Sequence, residues 1–130
     1  MRKMFSPTKK MNSSRYFDEE VLACPHCGWQ PDNGINRKLL NFLDKLQKQI
    51  DEPLDIKCCA RCEEYNEMVD GYEDSYHIKG KAVDINIPDD MYIDEFADIC
   101  EDCGAEGIVL KYDENVVHVD MRGQKKRYEE

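Results

Sequence analysis

Apolar and polar positions alternate along this chain with two periods, and the change of period marks out the elements. Leu39, Leu40, Leu43, Leu46 and Ile50 recur three and four residues apart, while Lys38, Asp44, Lys45 and Lys48 fall mostly elsewhere. That spacing predicts an amphipathic helix over 36–51, with Pro53 at its exit. Ile93, Phe96, Ile99 and Cys100 predict a second helix at about 92–102, capped by Asp89 or Asp90 and stopped by Gly104. Shorter helices are expected over 17–23 and 61–69.

The period falls to two elsewhere. In AVDINI at 82–87, Val83, Ile85 and Ile87 face one way and Ala82, Asp84 and Asn86 the other. Residues 106–111 and 115–121 read as a hairpin around Asp113 and Glu114. In its second arm Val117, Val119 and Met121 share one face, and Val116, His118 and Asp120 the other. Residues 54–58 add a short strand candidate. The charged stretch 124–130 is expected to fray. The sum is an α+β chain, a small antiparallel sheet with helices packed on one face.

Composition narrows the partners. At 130 residues the chain has the length of about one domain, and 41% hydrophobic residues suffice for a core. The net charge of -10 argues against nucleic acid, a polyanion. No apolar run approaches the ~18 residues of a membrane span. The first 14 residues are basic, with Arg2, Lys3, Lys9 and Lys10, and lack the apolar stretch of a signal peptide. The expected organisation is a flexible basic leader at 1–14, one domain at 15–123 and a charged tail at 124–130.

Chemistry concentrates in Ser75-Tyr76-His77-Ile78-Lys79-Gly80-Lys81-Ala82-Val83-Asp84. Two strands sharing one core would present Asp84 and His118 on the same polar side. A loop carrying His77 can fold back over it. Two imidazoles and a carboxylate with a fourth position open suit a catalytic Zn²⁺, which polarises a carbonyl and lowers the pKa of its water to ~7. Solvated surface residues are the plainer alternative from spacing alone.

The pattern S-x-H-x-x-G-x-A-x-D, carried by Ser75, His77, Gly80, Ala82 and Asp84, with the later His118-Val119-Asp120, resembles the zinc D-Ala-D-Ala carboxypeptidase family. This is the Hedgehog/DD-peptidase fold. Upstream, Arg61, Asn66 and Gly71 match a segment whose arginine lies near the family's active site; Cys58-Cys59-Ala60 replaces its usual Ser-Gly-Tyr. The resemblance runs from about residue 15 to 123. It implies His77, Asp84 and His118 as zinc ligands, and Arg61 as the group that binds a substrate carboxylate or steadies the oxyanion. Ser75 would support the site and the substrate by hydrogen bonding.

Many members carry an acid three residues before the last histidine, where this chain has Asn115. Asp120, on the same strand face as His118 and roughly 7 Å along, is then the expected proton shuttle, with a ligand-orienting role as its alternative. The implied reaction is zinc-dependent hydrolysis of an amide bond in peptidoglycan stem peptides, by a monomeric carboxypeptidase or endopeptidase. A catalytically silent zinc module that binds cell-wall peptide or a protein partner is the rival. With no signal peptide, the implied setting is the bacterial cytoplasm, for instance as a phage or prophage lysin released to the wall.

Seven cysteines remain. Six form C-x-x-C pairs: Cys24 and Cys27, Cys59 and Cys62, Cys100 and Cys103. Cys24-Pro25-His26-Cys27-Gly28 has the shape of a zinc knuckle, and pairing it with Cys59/Cys62 or Cys100/Cys103 would close a structural Zn²⁺ site. Disulfides and free core thiols are the alternatives.

Overall fold

A computed structural model describes residues 15–130; the basic leader lies outside the described residues. The elements run α1 (Glu19–Leu22), α2 (Arg37–Gln49), β1 (Asp55–Cys58), α3 (Glu63–Met68), β2 (Ala82–Asn86), α4 (Ile93–Asp102), β3 (Gly107–Lys111), a 3-10 turn (Tyr112–Glu114), β4 (Val116–Asp120) and β5 (Lys126–Glu129). The strands form one sheet in the order β1-β2-β4-β3-β5.

The two periodicities meet at one core. Val83 and Ile85 of β2, Val117 and Val119 of β4, and Ile108 and Leu110 of β3 bury one face of the sheet against Leu39, Leu40, Phe42, Leu43 and Leu46 of α2 and Phe96, Ala97 and Cys100 of α4. Each fully buried Leu, Phe or Val contributes about 1.5–3 kcal/mol of transfer free energy. The helix α2 starts where Asn36 Oδ1 accepts from the Leu39 N–H at 3.1 Å. α4 starts differently from expectation. Its cap is Tyr92, whose N–H is held by Glu95 Oε1 at 3.3 Å, rather than Asp89 or Asp90.

The sheet is not wholly antiparallel. β1, β2, β4 and β3 pair antiparallel, but β5 runs parallel beside β3, with Lys126 opposite Gly107 and Glu129 opposite Leu110. The expected frayed tail is therefore an edge strand. Its side chains stay exposed, and Arg127 bonds Asp98 at 2.8 Å and Glu101 at 3.0 Å on α4. A charged strand can join a sheet where backbone pairing and edge ion pairs suffice and no apolar face is required.

The second face of the sheet is not the open surface that alternation suggests. From residues 59–81, which include α3, Arg61 and His77 reach Asp84 on it, and Ala82, Asp84, Val116 and Asp120 are all buried. Gly80 makes that segment compact. It adopts φ +70°, and a Cβ there would press on Pro31 at 2.9 Å.

Candidate metal centre

Asp84 and His118 sit directly opposite each other on β2 and β4. His77 reaches them from the segment 59–81 through a network of local bonds. Ser75 Oγ accepts from the His77 N–H at 3.1 Å, and the His77 carbonyl accepts from the backbone N–H groups of Arg61 and Gly80, both at 3.2 Å. One ligand-bearing loop is thereby tied to the segment that carries Arg61.

The ring nitrogens have assignable roles. His77 Nδ1 lies 2.7 Å from the Cys59 carbonyl, which can only accept, so Nδ1 carries the hydrogen and Nε2 presents its lone pair. Nε2 is buried, makes no hydrogen bond among the described residues, and lies 3.3 Å from Asp84 Oδ1. His118 Nε2 lies 2.7 Å from Asp120 Oδ2, which leaves Nδ1 to face Asp84 Oδ1 at 2.9 Å. His77 Nε2, Asp84 Oδ1 and His118 Nδ1 are thus three electron-pair donors converging on one point. One ligand atom from each residue lies within 4.8 Å of the others.

Such a convergence demands a cation between the donors, either protons or a metal ion. In the chain by itself the surroundings favour protons on the imidazoles. Burial opposes charge on both imidazoles, but the Asp84 carboxylate beside His77, and Asp120 and Asp84 beside His118, outweigh it and raise both pKa values. Burial likewise opposes the Asp84 charge, and its histidine partners hold it well below the usual carboxylate range all the same. A divalent cation displaces those protons, and two imidazoles with one carboxylate form an N₂O donor set that leaves a tetrahedral position open.

Asp120, the expected proton shuttle, lies away from the cleft. Its carboxylate is fully buried behind His118 and does not line the cleft. Arg122 grips it twice, Nε on Oδ1 at 2.8 Å and Nη2 on Oδ2 at 2.7 Å. Desolvation would raise its pKa, yet Arg122 and His118 bring it down to about 2. The strand period alone could not separate the metal side of His118 from its back. Gly107 on β3 makes room for this arrangement, since a Cβ there would collide with the Asp120 carboxylate and the Arg122 guanidinium.

Arg61 and Ser75 do line the cleft, which holds about 600 Å³ and includes His77, Asp84 and His118. Arg61 Nη1 donates to Asn66 Oδ1 at 2.9 Å, Nη2 lies 3.7 Å from Asp84 Oδ2, and its buried Nε has no partner among the described residues. Asn115 instead lies in the left-handed region at φ +56° and lines a separate groove with Ile87 and Tyr92. Its neighbour Glu114 lines the cleft and pairs with Lys57 at 2.9 Å. Sequence reasoning also passed over Arg122 and Lys111. Arg122 was legible, since it continues the alternation of His118 and Asp120 along one face. Lys111, with Nζ 3.9 Å from Asp84 Oδ2, comes from β3 and carries no local signal.

The seven cysteines all carry free thiols. Cys100 and Cys103 sit on and just after α4, and Cys59 is fully buried beneath His77; none of these joins the Cys24 turn. Among the described residues no helix is long and apolar enough to cross a membrane. Neither a curated protein nor a solved structure matches the chain significantly. A family model described as peptidase M15 matches residues 15–120, a span that holds Arg61, the three converging ligands and Asp120. On that match and this ligand set, the chain belongs to the M15 peptidases, the zinc D-Ala-D-Ala carboxypeptidase-like family that its motifs resemble.

Proposed function

We propose that this protein hydrolyses an amide bond in peptidoglycan stem peptides, with zinc held by His77 Nε2, Asp84 and His118 Nδ1. The observation that carries this is the convergence of three lone pairs, one of them an orphaned buried nitrogen, inside a peptidase M15 match. When bound, zinc supplies Lewis-acid polarisation of the scissile carbonyl and acidifies water at its open position.

The chain's own residues supply the rest. Arg61 offers a guanidinium at the cleft wall, suited to a terminal carboxylate or a developing oxyanion. Its Asn66 bond fixes its direction. Asp120 positions His118: a buried, ionised carboxylate on Nε2 fixes the tautomer that frees Nδ1 for the metal. Proton transfer falls to Glu114, a carboxylate that lines the cleft. Its pKa is lowered mainly by Lys57, so it is ionised at neutral pH and able to accept.

The test incubates zinc-loaded protein with murein sacculi and with peptides ending in D-Ala-D-Ala, and counts new amines. Product above the His118→Ala and metal-stripped controls, falling ~10²-fold or more in Glu114→Gln with metal content kept, supports the assignment. Peptide binding without any new amine would instead establish a silent module, and product undiminished in Glu114→Gln would remove Glu114 from the mechanism.

A further inference from the structure

The chain holds a second cluster of metal-ligating atoms, remote in chemistry from the first. One thiol each from Cys24, Cys27 and Cys62 lies within 4.8 Å of the others. Cys24 is buried, Cys62 half-buried and Cys27 exposed, so the cluster sits at the surface with one side open. No other His, Cys, Asp or Glu among the described residues joins it.

The backbone around it holds the three sulfurs together. Cys24 to Gly28 form a closed turn: Gly28 N–H donates to the Cys24 carbonyl at 2.8 Å, Cys24 N–H to the Trp29 carbonyl at 2.8 Å, and Gly28 takes φ +81°. Cys62 caps α3, its Sγ accepting from the Tyr65 N–H at 3.3 Å. Backbone donors aimed at sulfur stabilise the charged form over the thiol. Within the turn, the His26 ring stacks on Tyr65 of α3 at 5.5 Å, a further contact between the two halves of the cluster.

We propose that Cys24, Cys27 and Cys62 bind a second Zn²⁺, a structural ion that clips the turn after α1 to the start of α3. Three S–H bonds are lost, three protons pass to solvent, and the ion accepts one lone pair from each sulfur; no electrons are transferred. Water completes the tetrahedron on the exposed side. Soft thiolates select zinc over the hard cations that carboxylates prefer. The clip bears on the cleft because Cys62 follows Arg61, whose N–H holds the His77 carbonyl. It is independent of the hydrolase reading, since none of its ligands belongs to the His77 cluster.

Elemental analysis of the protein purified under reducing conditions is expected to give two zinc ions per chain. His118→Ala should keep the thiolate-bound ion, and Cys62→Ser should keep only the histidine-bound one. Cobalt substitution should give an intense sulfur-to-cobalt charge-transfer band in His118→Ala. For the wild-type chain, which needs no folded variant, titration with an organomercurial under native conditions should release one zinc ion as the cluster's thiols react. A count of one zinc that thiol modification does not lower, or a cobalt form with no such band, overturns the proposal. So does a disulfide among the three cysteines in that reduced preparation.

Discussion

The two faces of the sheet are built from the same three strands and obey opposite rules. The face toward α2 and α4 is held by burial alone: Val83, Ile85, Val117, Val119, Ile108 and Leu110 meet Leu and Phe side chains with no polar group to satisfy. The other face buries charge. Asp84, His77 and Asp120 are each less than 6% exposed, and each survives burial through a specific partner. The first face tolerates any residue of the right size, while the second depends on atom-by-atom pairing. A fold can therefore stand on one face while chemistry is set by the other.

Removing a side chain from the apolar face should break stability and spare the site. Phe96→Ala is expected to cost about 3–5 kcal/mol in denaturant unfolding, through lost transfer energy and a cavity. Calorimetric titration of the folded variant should still show zinc binding at the His77 cluster with the wild-type affinity. A large loss of affinity at equal folded fraction would show that the two faces are coupled.

The converse change should spare the fold and weaken the site. Asp120→Asn keeps the shape but removes the charge that holds Arg122 and the His118 tautomer. Zinc affinity should fall ~10–100-fold, as for other orienting partners of metal-bound histidines. If Asp120 were instead the proton carrier, affinity would stay and turnover alone would drop. Competition titration against a chelator separates the two outcomes.

How far each face was legible follows from the same contrast. Periods of two and 3.6 report which side of an element is apolar, and so they located α2, α4, β2 and the β3–β4 hairpin within a residue or two. They say nothing of which nitrogen of His118 faces Asp84 or that Asp120 lies behind it. Those depend on the segment 59–81, whose course is set by long-range bonds such as His77 Nδ1 to the Cys59 carbonyl. The family motif named the three ligands through resemblance, not through periodicity. β5 was missed because a charged strand has no apolar alternation to read.

Proton competition sharpens the contrast at a smaller scale. Without metal, His77 and His118 have pKa values raised above the ordinary imidazole value by their carboxylate partners. A raised folded pKa means their stabilising contribution is complete below the unfolded value of ~6.5 and fades as pH climbs through the folded one. Metal binding strengthens over the same interval, because the ion must displace those protons. The difference in Tm between zinc-loaded and stripped protein should therefore widen as pH rises past neutrality, by scanning calorimetry. A gap independent of pH would mean the imidazoles do not bind the ion.

The smallest effect is expected where the polar face reaches solvent. Lys57 and Glu114 form an ion pair with about half of each side chain exposed, at 46% and 48%. Such pairs contribute under ~1 kcal/mol, so Lys57→Met should leave unfolding almost unchanged. Its effect should appear in kinetics instead. Lys57 is the main cause of the lowered Glu114 pKa, and its loss lets that carboxylate return toward the ordinary value. Glu114 stays ionised at pH 7 either way, so the neutral rate should hold. The acidic limb of the pH–rate profile should move to higher pH, because a base of higher pKa is protonated sooner as pH falls. A limb that stays in place while Glu114→Gln abolishes turnover would mean the limb reports the metal ligands losing zinc to protons. The buried half of the face, and not its exposed rim, would then set the enzyme's working range.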